Sequence, residues 1–181
     1  METKSPWPMA MKYGLIVAFA HIIVNIVFYM INPELSQKGT SALGITQLLI
    51  LLAATIYILY SVTVKRRDED LDGYISYSQS LGFMIKIALP ASFVIAIYTY
   101  IFLAYINVDF MQKMWETQAQ EMYNQGKSEE EVEQVMKVGK MMSSPLILTF
   151  FGFMGSLFQL FIFSLIASIF ARKQSPIDTI Q

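Results

Sequence analysis

The sequence contains no cysteine and a single histidine, His21. The first absence excludes disulfides, thiolate catalysis and cysteine-held zinc or iron–sulfur centres. The second excludes any site built from several histidines, and no H-E-x-x-H pattern occurs. Charge is also scarce. Only 15% of residues are charged, against about 25% in an ordinary soluble domain, too few to wet a whole surface. The net charge is −1, so no basic field exists to gather nucleic acid, and none is expected as a partner. A Gly-rich phosphate loop and a Ser-His-Asp set are also missing. Neither an enzyme nor a cofactor or metal is expected.

What is abundant is apolar sequence, at 55% of residues with a mean hydropathy of +0.47. A hydrocarbon core about 30 Å thick needs roughly 20 apolar residues in a helix. Four stretches meet that length, at about 13–31, 42–64, 82–106 and 146–171. One buried core could supply one such run, but hardly four in 181 residues. The expected fold is an all-α integral membrane protein with four transmembrane helices in one domain, the lipid bilayer its first partner. The first run exceeds the 7–15 apolar residues usual in a signal peptide, and no small-x-small site follows it, so it reads as a retained span.

Lysine and arginine near the span ends orient the chain. Lys4 and Lys12 precede span one, Lys65-Arg66-Arg67 follow span two, and Arg172-Lys173 follow span four. These places share one side. The link 32–41 carries only Lys38, and the long link after span three scatters Lys113, Lys127, Lys137 and Lys140 among seven acids. Both termini, including the tail 172–181, are therefore expected in the cytoplasm.

Between spans two and three, Asp68–Gly73 reads as a charged turn, and Tyr74–Leu81 as a semi-polar aromatic segment lying at headgroup depth before the chain dives. Pro90 then falls in the first turns of span three, where a missing amide proton costs little. The link 108–143 reads as an extracytoplasmic amphipathic helical hairpin. Asp109 with Gln112, and Ser128 with Glu131, have capping-box spacing, while Gly126 is placed to end the first helix. Met111, Met114, Trp115 and Met122 form one apolar stripe; Val132, Val135, Met136, Gly139 and Met142 form the other. The methionines on these stripes are packing material before they are copper ligands.

Five polar side chains lie within the apolar runs: His21, Asn25, Gln47, Lys86 and Gln159. Such residues are costly in hydrocarbon and turn toward other helices or a cavity. Small residues share their faces: Gly14 and Ala18 with His21 and Asn25, Gly44 and Ala54 with Gln47, Gly152 and Ser156 with Gln159. Small residues let helices approach, and polar ones then bond across the contact, so these positions read first as glue. The competing reading is a proton or solute path through His21 and Asn25. Lys86 is close enough to the cytoplasmic face for its stem to snorkel there.

Lys12–Ile16, the stretch Gly73-Tyr74-Ile75-Ser76-Tyr77-Ser78-Gln79-Ser80-Leu81, the run Tyr98–Trp115, Gly126–Glu130 and the tail from Ser144 to Lys173 together resemble a known family. It is the bacterial membrane family catalogued as domain of unknown function 4199. The resemblance implies a small multi-span protein of a Gram-negative inner membrane with a periplasmic hairpin. It implies no activity and no catalytic residue. The functional expectation is a non-enzymatic inner-membrane protein whose hairpin contacts a partner, either another copy of itself or a membrane or periplasmic protein. The alternative is a subunit of an oligomeric transporter or channel for a small solute or ion.

Overall fold

The computed structural model describes residues 5–31 and 42–173, apart from the side chains of Met111, Lys140 and Met142. The link 32–41 and the tail beyond Lys173 lie outside the described residues. Six helices carry nearly all of the described chain: α1 Trp7–Ile31, α2 Ala42–Asp70, α3 Tyr77–Ile101, α4 Phe110–Asn124, α5 Glu129–Met142 and α6 Pro145–Ala171. Four of them, α1, α2, α3 with its continuation to Ile106, and α6, are long and apolar enough to cross a membrane. The fold is all-helical, as the apolar runs predict.

Several boundaries differ from those expected. Helix α1 begins at Trp7, well before the apolar run at Tyr13. Helix α2 continues to Asp70, with Lys65 paired to Glu69 at 3.9 Å one turn on, an (i, i+4) pair of the kind that supports a helix surface. The charged turn thus shrinks to a corner in which Asp72 (φ 53) and Gly73 (φ 83) adopt left-handed backbone. The segment Tyr77–Leu81 is not a separate connector before the span. It is the first turn of α3, started by Ser76: the Ser76 hydroxyl accepts from the Gln79 N–H at 3.2 Å, and the Gln79 side chain accepts from the Ser76 N–H at 3.0 Å. This is a capping box, and S-x-x-Q was there to be read. Because α3 starts so early, Pro90 stands in mid-helix rather than in its first turns. Span three ends in a π-turn over Phe102–Ile106, for which the sequence offered no signal.

Helix α3 is the hub. It packs most extensively on α6 and next on α1, while α2 closes the bundle against α6 and α1 and barely meets α3. Small side chains are prominent among the buried residues of both helices: Ser80, Ala88, Ala91, Ser92 and Ala96 on α3, and Ser164, Ala167, Ser168 and Ala171 on α6, beside the larger Phe83, Met84, Ile87, Leu160 and Phe163. Between them the Ser168 hydroxyl contacts the Met84 sulfur at 3.3 Å. Against α1 the approach is closest at Gly14, where a Cβ would stand 2.6 Å from Pro90 Cγ and 2.8 Å from the Ile87 carbonyl oxygen. Pro90 therefore serves as a contact surface for Gly14. Small residues at a crossing let two backbones come close enough for dispersion and polar contacts to act where lipid gives no hydrophobic drive.

The outside of the bundle is the complement of that interior. Only 11% of the most apolar window is buried in each of α2 and α6, and Phe93, Phe158 and Phe170 are each more than 60% exposed. Water would tolerate no apolar surface of that extent on a monomer; lipid does. The chain is a multi-pass membrane protein.

At one end, here called the basic end, the α2–α3 corner is latched to the end of α6. Ile75 and Lys173 exchange backbone hydrogen bonds of 3.0 and 2.9 Å, Arg67 donates to the Ala171 carbonyl at 3.4 Å, and the Lys173 ammonium sits 5.5 Å from the Tyr74 ring centre. The last carbonyls of a helix need such donors.

Replacing Gly14 by leucine should lower the stability of the detergent-solubilised chain by about 1–3 kcal/mol, the usual cost of overpacking. The control is Gly155→Leu on α6, where an added Cβ meets nothing within 4 Å. Equal melting temperatures for the two variants would refute the α1–α3 contact.

Candidate functional site

The five polar residues singled out in the sequence do not converge. His21 is buried on α1, with its Nδ1 3.0 Å from the Val17 carbonyl one turn back and its Nε2 buried without a partner. Asn25, one turn further on, is half-buried and accepts a 2.7 Å hydrogen bond from the Tyr98 hydroxyl of α3. Gln47 is half-buried in a stretch of α2 that has no fully buried residue before Thr55. Gln159 is half-buried beside buried Leu160, and Lys86 is half-buried near the basic end. Among the described residues, no hydrogen bond joins any two of the five.

The faces expected to carry them fare unequally. On α1, Gly14, Ala18 and His21 are buried together against the bundle. On α6, Gly152 stands near Thr99, but Ser156 bonds back to the Phe153 carbonyl at 3.0 Å rather than across the seam. The face of α2 through Gly44 and Gln47 is only half-buried.

Tyr98 was not anticipated, and it is the main polar link between α1 and α3. Its ring also lies 5.6 Å from Phe102, which makes an edge contact with Tyr29 at 5.0 Å. One hydrogen bond and one ring contact, Tyr29 on Phe102, thus tie the far end of α1 to the third span where the π-turn begins. A helix–helix hydrogen bond in a membrane is worth about 0.6 kcal/mol on average, so the aromatic contact shares the load. The spacing of Asn25 to Tyr29 and of Tyr98 to Phe102, one turn each, was the only available hint.

The second arrangement is the hairpin. Helices α4 and α5 pack on each other and make no extensive contact with the four long helices. Their seam centres on Trp115, whose ring lies so close to Gly139 that a Cβ there would stand 2.7 Å from it. The indole N–H donates to the Ser143 hydroxyl at 2.7 Å, and that hydroxyl donates to the Gly139 carbonyl at 2.6 Å. Val132 is buried and Met136 half-buried on the same face. Val135 does not join them: it is exposed, as are Val138 and Met141. The helix rotates 100° per residue, so the seam follows 132, 136, 139 and 143 and turns Val135 outward. Met111 and Met142 belong to the undescribed side chains.

The caps of the hairpin divide. Gly126 is left-handed at φ 79, and Lys127 N–H reaches back to the Met122 carbonyl at 3.1 Å, closing α4 as a Schellman turn does. Ser128 and Glu131 form the expected reciprocal pair, at 2.9 Å from the Ser128 N–H to the carboxylate and 3.3 Å from the Glu131 N–H to the hydroxyl. Asp109 makes no side-chain cap, and Gln112 bonds Glu116 instead, at 2.9 Å. Asp109 has nearly helical backbone, φ −86 and ψ −3, which turns its carboxylate away from the first amides.

The Ser128 N–H, followed by the Lys127 charge, holds the Glu131 carboxyl below its ordinary range. The folded hairpin therefore favours the ionised form. Its stabilising effect is present above the ordinary glutamate range and is lost as pH falls through the lowered midpoint. Carbon-13 NMR should find the Glu131 midpoint below about 4.3, the value of a free glutamate, and Ser128→Pro, which deletes the donor, should restore it. A midpoint at or above the free value contradicts the cap.

No curated protein and no solved structure matches the chain. One family model does, that of a protein of unknown function, DUF4199, and it covers residues 12–173. That range begins in α1, takes in all the other helices and ends on Lys173, whose backbone latches the α2–α3 corner. On that match, which takes in the latch, the bundle and the hairpin, the chain belongs to the DUF4199 family.

Proposed function

We propose that this chain is a non-enzymatic inner-membrane protein whose helical hairpin, on the extracytoplasmic side, is its interaction element. The observation that carries the reading is the self-sufficiency of the hairpin. Trp115, Gly139 and Ser143 close it internally, so it does not need the bundle to fold against. It nevertheless leaves an apolar edge of Val135, Val138 and Met141 facing outward on an otherwise acidic helix. An apolar edge on a polar, ordered element is the usual mark of a protein contact surface. The partner would be a second copy of the chain or another membrane or periplasmic protein. Orientation rests on the lysines and arginines clustered at the basic end, which the positive-inside rule assigns to the cytoplasm.

Single cysteines test orientation and contact together, since the chain has none of its own. A cysteine at Asn124 should react with an impermeant maleimide in intact cells and yield one crosslinked adduct; one at Asp70 should do neither. The double change Val138→Gln and Met141→Gln should abolish the adduct. If the adduct persists unchanged, or if Asp70 is the position labelled from outside, the proposal falls.

One observation favours the oligomeric transporter, the buried Nε2 of His21 that bonds nothing. Proton-dependent flux through reconstituted vesicles, removed by His21→Ala in a protein that still folds, would replace the first reading with the second. The satisfied pair of Asn25 and Tyr98, immediately beyond His21, weighs against a continuous path.

A further inference from the structure

At the basic end a groove of about 390 Å³ runs between the α2–α3 corner and the first turns of α3. Its lining is mostly apolar, with Leu71, Ile75 and Phe83, joined by the polar Ser78 and Gln79 and by two cations, Arg66 and Lys86. Arg66 is half-buried, its guanidinium stacked 4.6 Å from the centre of the Phe83 ring. Arg66 lines the groove, and a guanidinium carries forked donors along a planar edge that matches a phosphate. Lys86 stands nine residues into α3 from Tyr77, about 13 Å along the axis. Side chains on a helix lean toward its N-terminus, which for α3 is the basic end. A lysine stem at this position leans back toward the basic end, and Lys86 lines the groove.

The charge balance decides what could sit there. Asp70, one turn beyond Arg66, acts on it electrostatically and offsets part of its charge. No described carboxylate pairs with Lys86, so the groove keeps a net positive character. The amides at the start of α3 add little, because Ser76 and Gln79 occupy their own capping box. A second groove, along Lys12, Lys65, Glu69 and Asp70, mixes two cations with two acids and has no such bias.

We propose that this groove binds the phosphate of an anionic membrane lipid, with Arg66 and Lys86 on the phosphate and the apolar walls against the glycerol and upper acyl chains. A phosphate needs a forked donor or point cations, and two cations over an apolar wall suit an amphiphile better than a free ion. The depth is also right. Arg66 follows the apolar part of α2 by two residues, and Lys86 is drawn out of the third apolar run toward the same level. Basic pockets between transmembrane helices take lipid head groups by this chemistry. The inference concerns the end of the bundle opposite the hairpin and stands independently of any hairpin partner.

Native mass spectrometry of the full chain, released from micelles of mixed phosphatidylglycerol and phosphatidylcholine, reads the lipid that stays bound. Phosphatidylglycerol should be retained in preference. Each cation near a charged membrane surface is worth about a fivefold change in binding; hence Arg66→Gln with Lys86→Gln should reduce retention on the order of twentyfold. Arg66→Lys with Lys86→Arg should keep most of it, and Lys12→Gln with Lys65→Gln, outside the groove, should leave it unchanged. Gly82→Leu supplies a variant that alters no charge. An added Cβ at Gly82 meets nothing within 4 Å, so the leucine should fill the groove, spare the fold and expel the lipid. Wild-type retention in Gly82→Leu, or an equal loss in the Lys12/Lys65 variant, overturns the proposal. Phosphorus-31 NMR with inorganic phosphate alone separates the two sources of the ligand. Saturable binding of free phosphate that Gly82→Leu removes, with no preference for phosphatidylglycerol, would overturn the lipid assignment.

Discussion

Everything in this molecule depends on how closely α3 can approach its neighbours. In water a helix bundle is held by removing apolar area from solvent. In lipid that term nearly vanishes between helices, and what remains is dispersion at short range together with a few polar contacts. Both fall off steeply with distance. Hence Gly14 is set against Pro90 and the Ile87 carbonyl, and alanine and serine are prominent among the buried residues of α3 and α6. Large side chains divide: Leu59, Phe83, Met84, Ile87 and Leu160 fill the core, whereas Phe93, Phe158 and Phe170 are exposed on the outside of the bundle.

Once α3 is seated, both ends need fastening, and the chain does this by different means. At the basic end the polar backbone emerges from the bundle and is captured by backbone: Ile75 pairs with Lys173, and Arg67 reaches the last carbonyl of α6. At the other end the fastening is by side chains, the Tyr98 hydroxyl to Asn25 with Phe102 and Tyr29 in edge contact beyond it. The hairpin follows a third rule. It is outside the bundle, so it must close on itself, and it does so through one tryptophan, the glycine it covers and a serine that satisfies both the indole N–H and a helix carbonyl. The stretch Gly73–Leu81, which reads in sequence as a semi-polar aromatic segment after a charged turn, holds several of these devices in succession: a left-handed corner, a bridge residue, a capping box and a buried serine.

Some of this was legible beforehand because the period of the signal matched the length of the element. Four apolar runs of about twenty residues allow little else. Gly126 and the Ser128–Glu131 pair were readable because a helix end depends on residues adjacent in the chain. The same reasoning missed where it needed to know the surroundings. Asp109 has the right spacing for a cap, but its backbone comes out of the π-turn nearly helical. Val135 has the right spacing for the stripe, but the position of Trp115 draws the seam around to Gly139 and Ser143. The cap at Ser76 is masked in sequence by Tyr74 and Tyr77, which point to an interfacial segment.

The sequence by itself determined that this chain is a helical, multi-pass membrane protein with a two-helix insertion after its third span. It could do so because lipid demands internally satisfied backbone and a fixed length of apolar residues, both local properties. It also marked which residues would be costly in hydrocarbon. Only the tertiary structure decided what became of them: Asn25 met Tyr98 and Lys86 came to line the same groove as Arg66, whereas His21 met no partner at Nε2 among the described residues. Those outcomes depend on rotation and register between helices far apart in the chain, and these are set by side-chain packing that no single stretch of sequence contains.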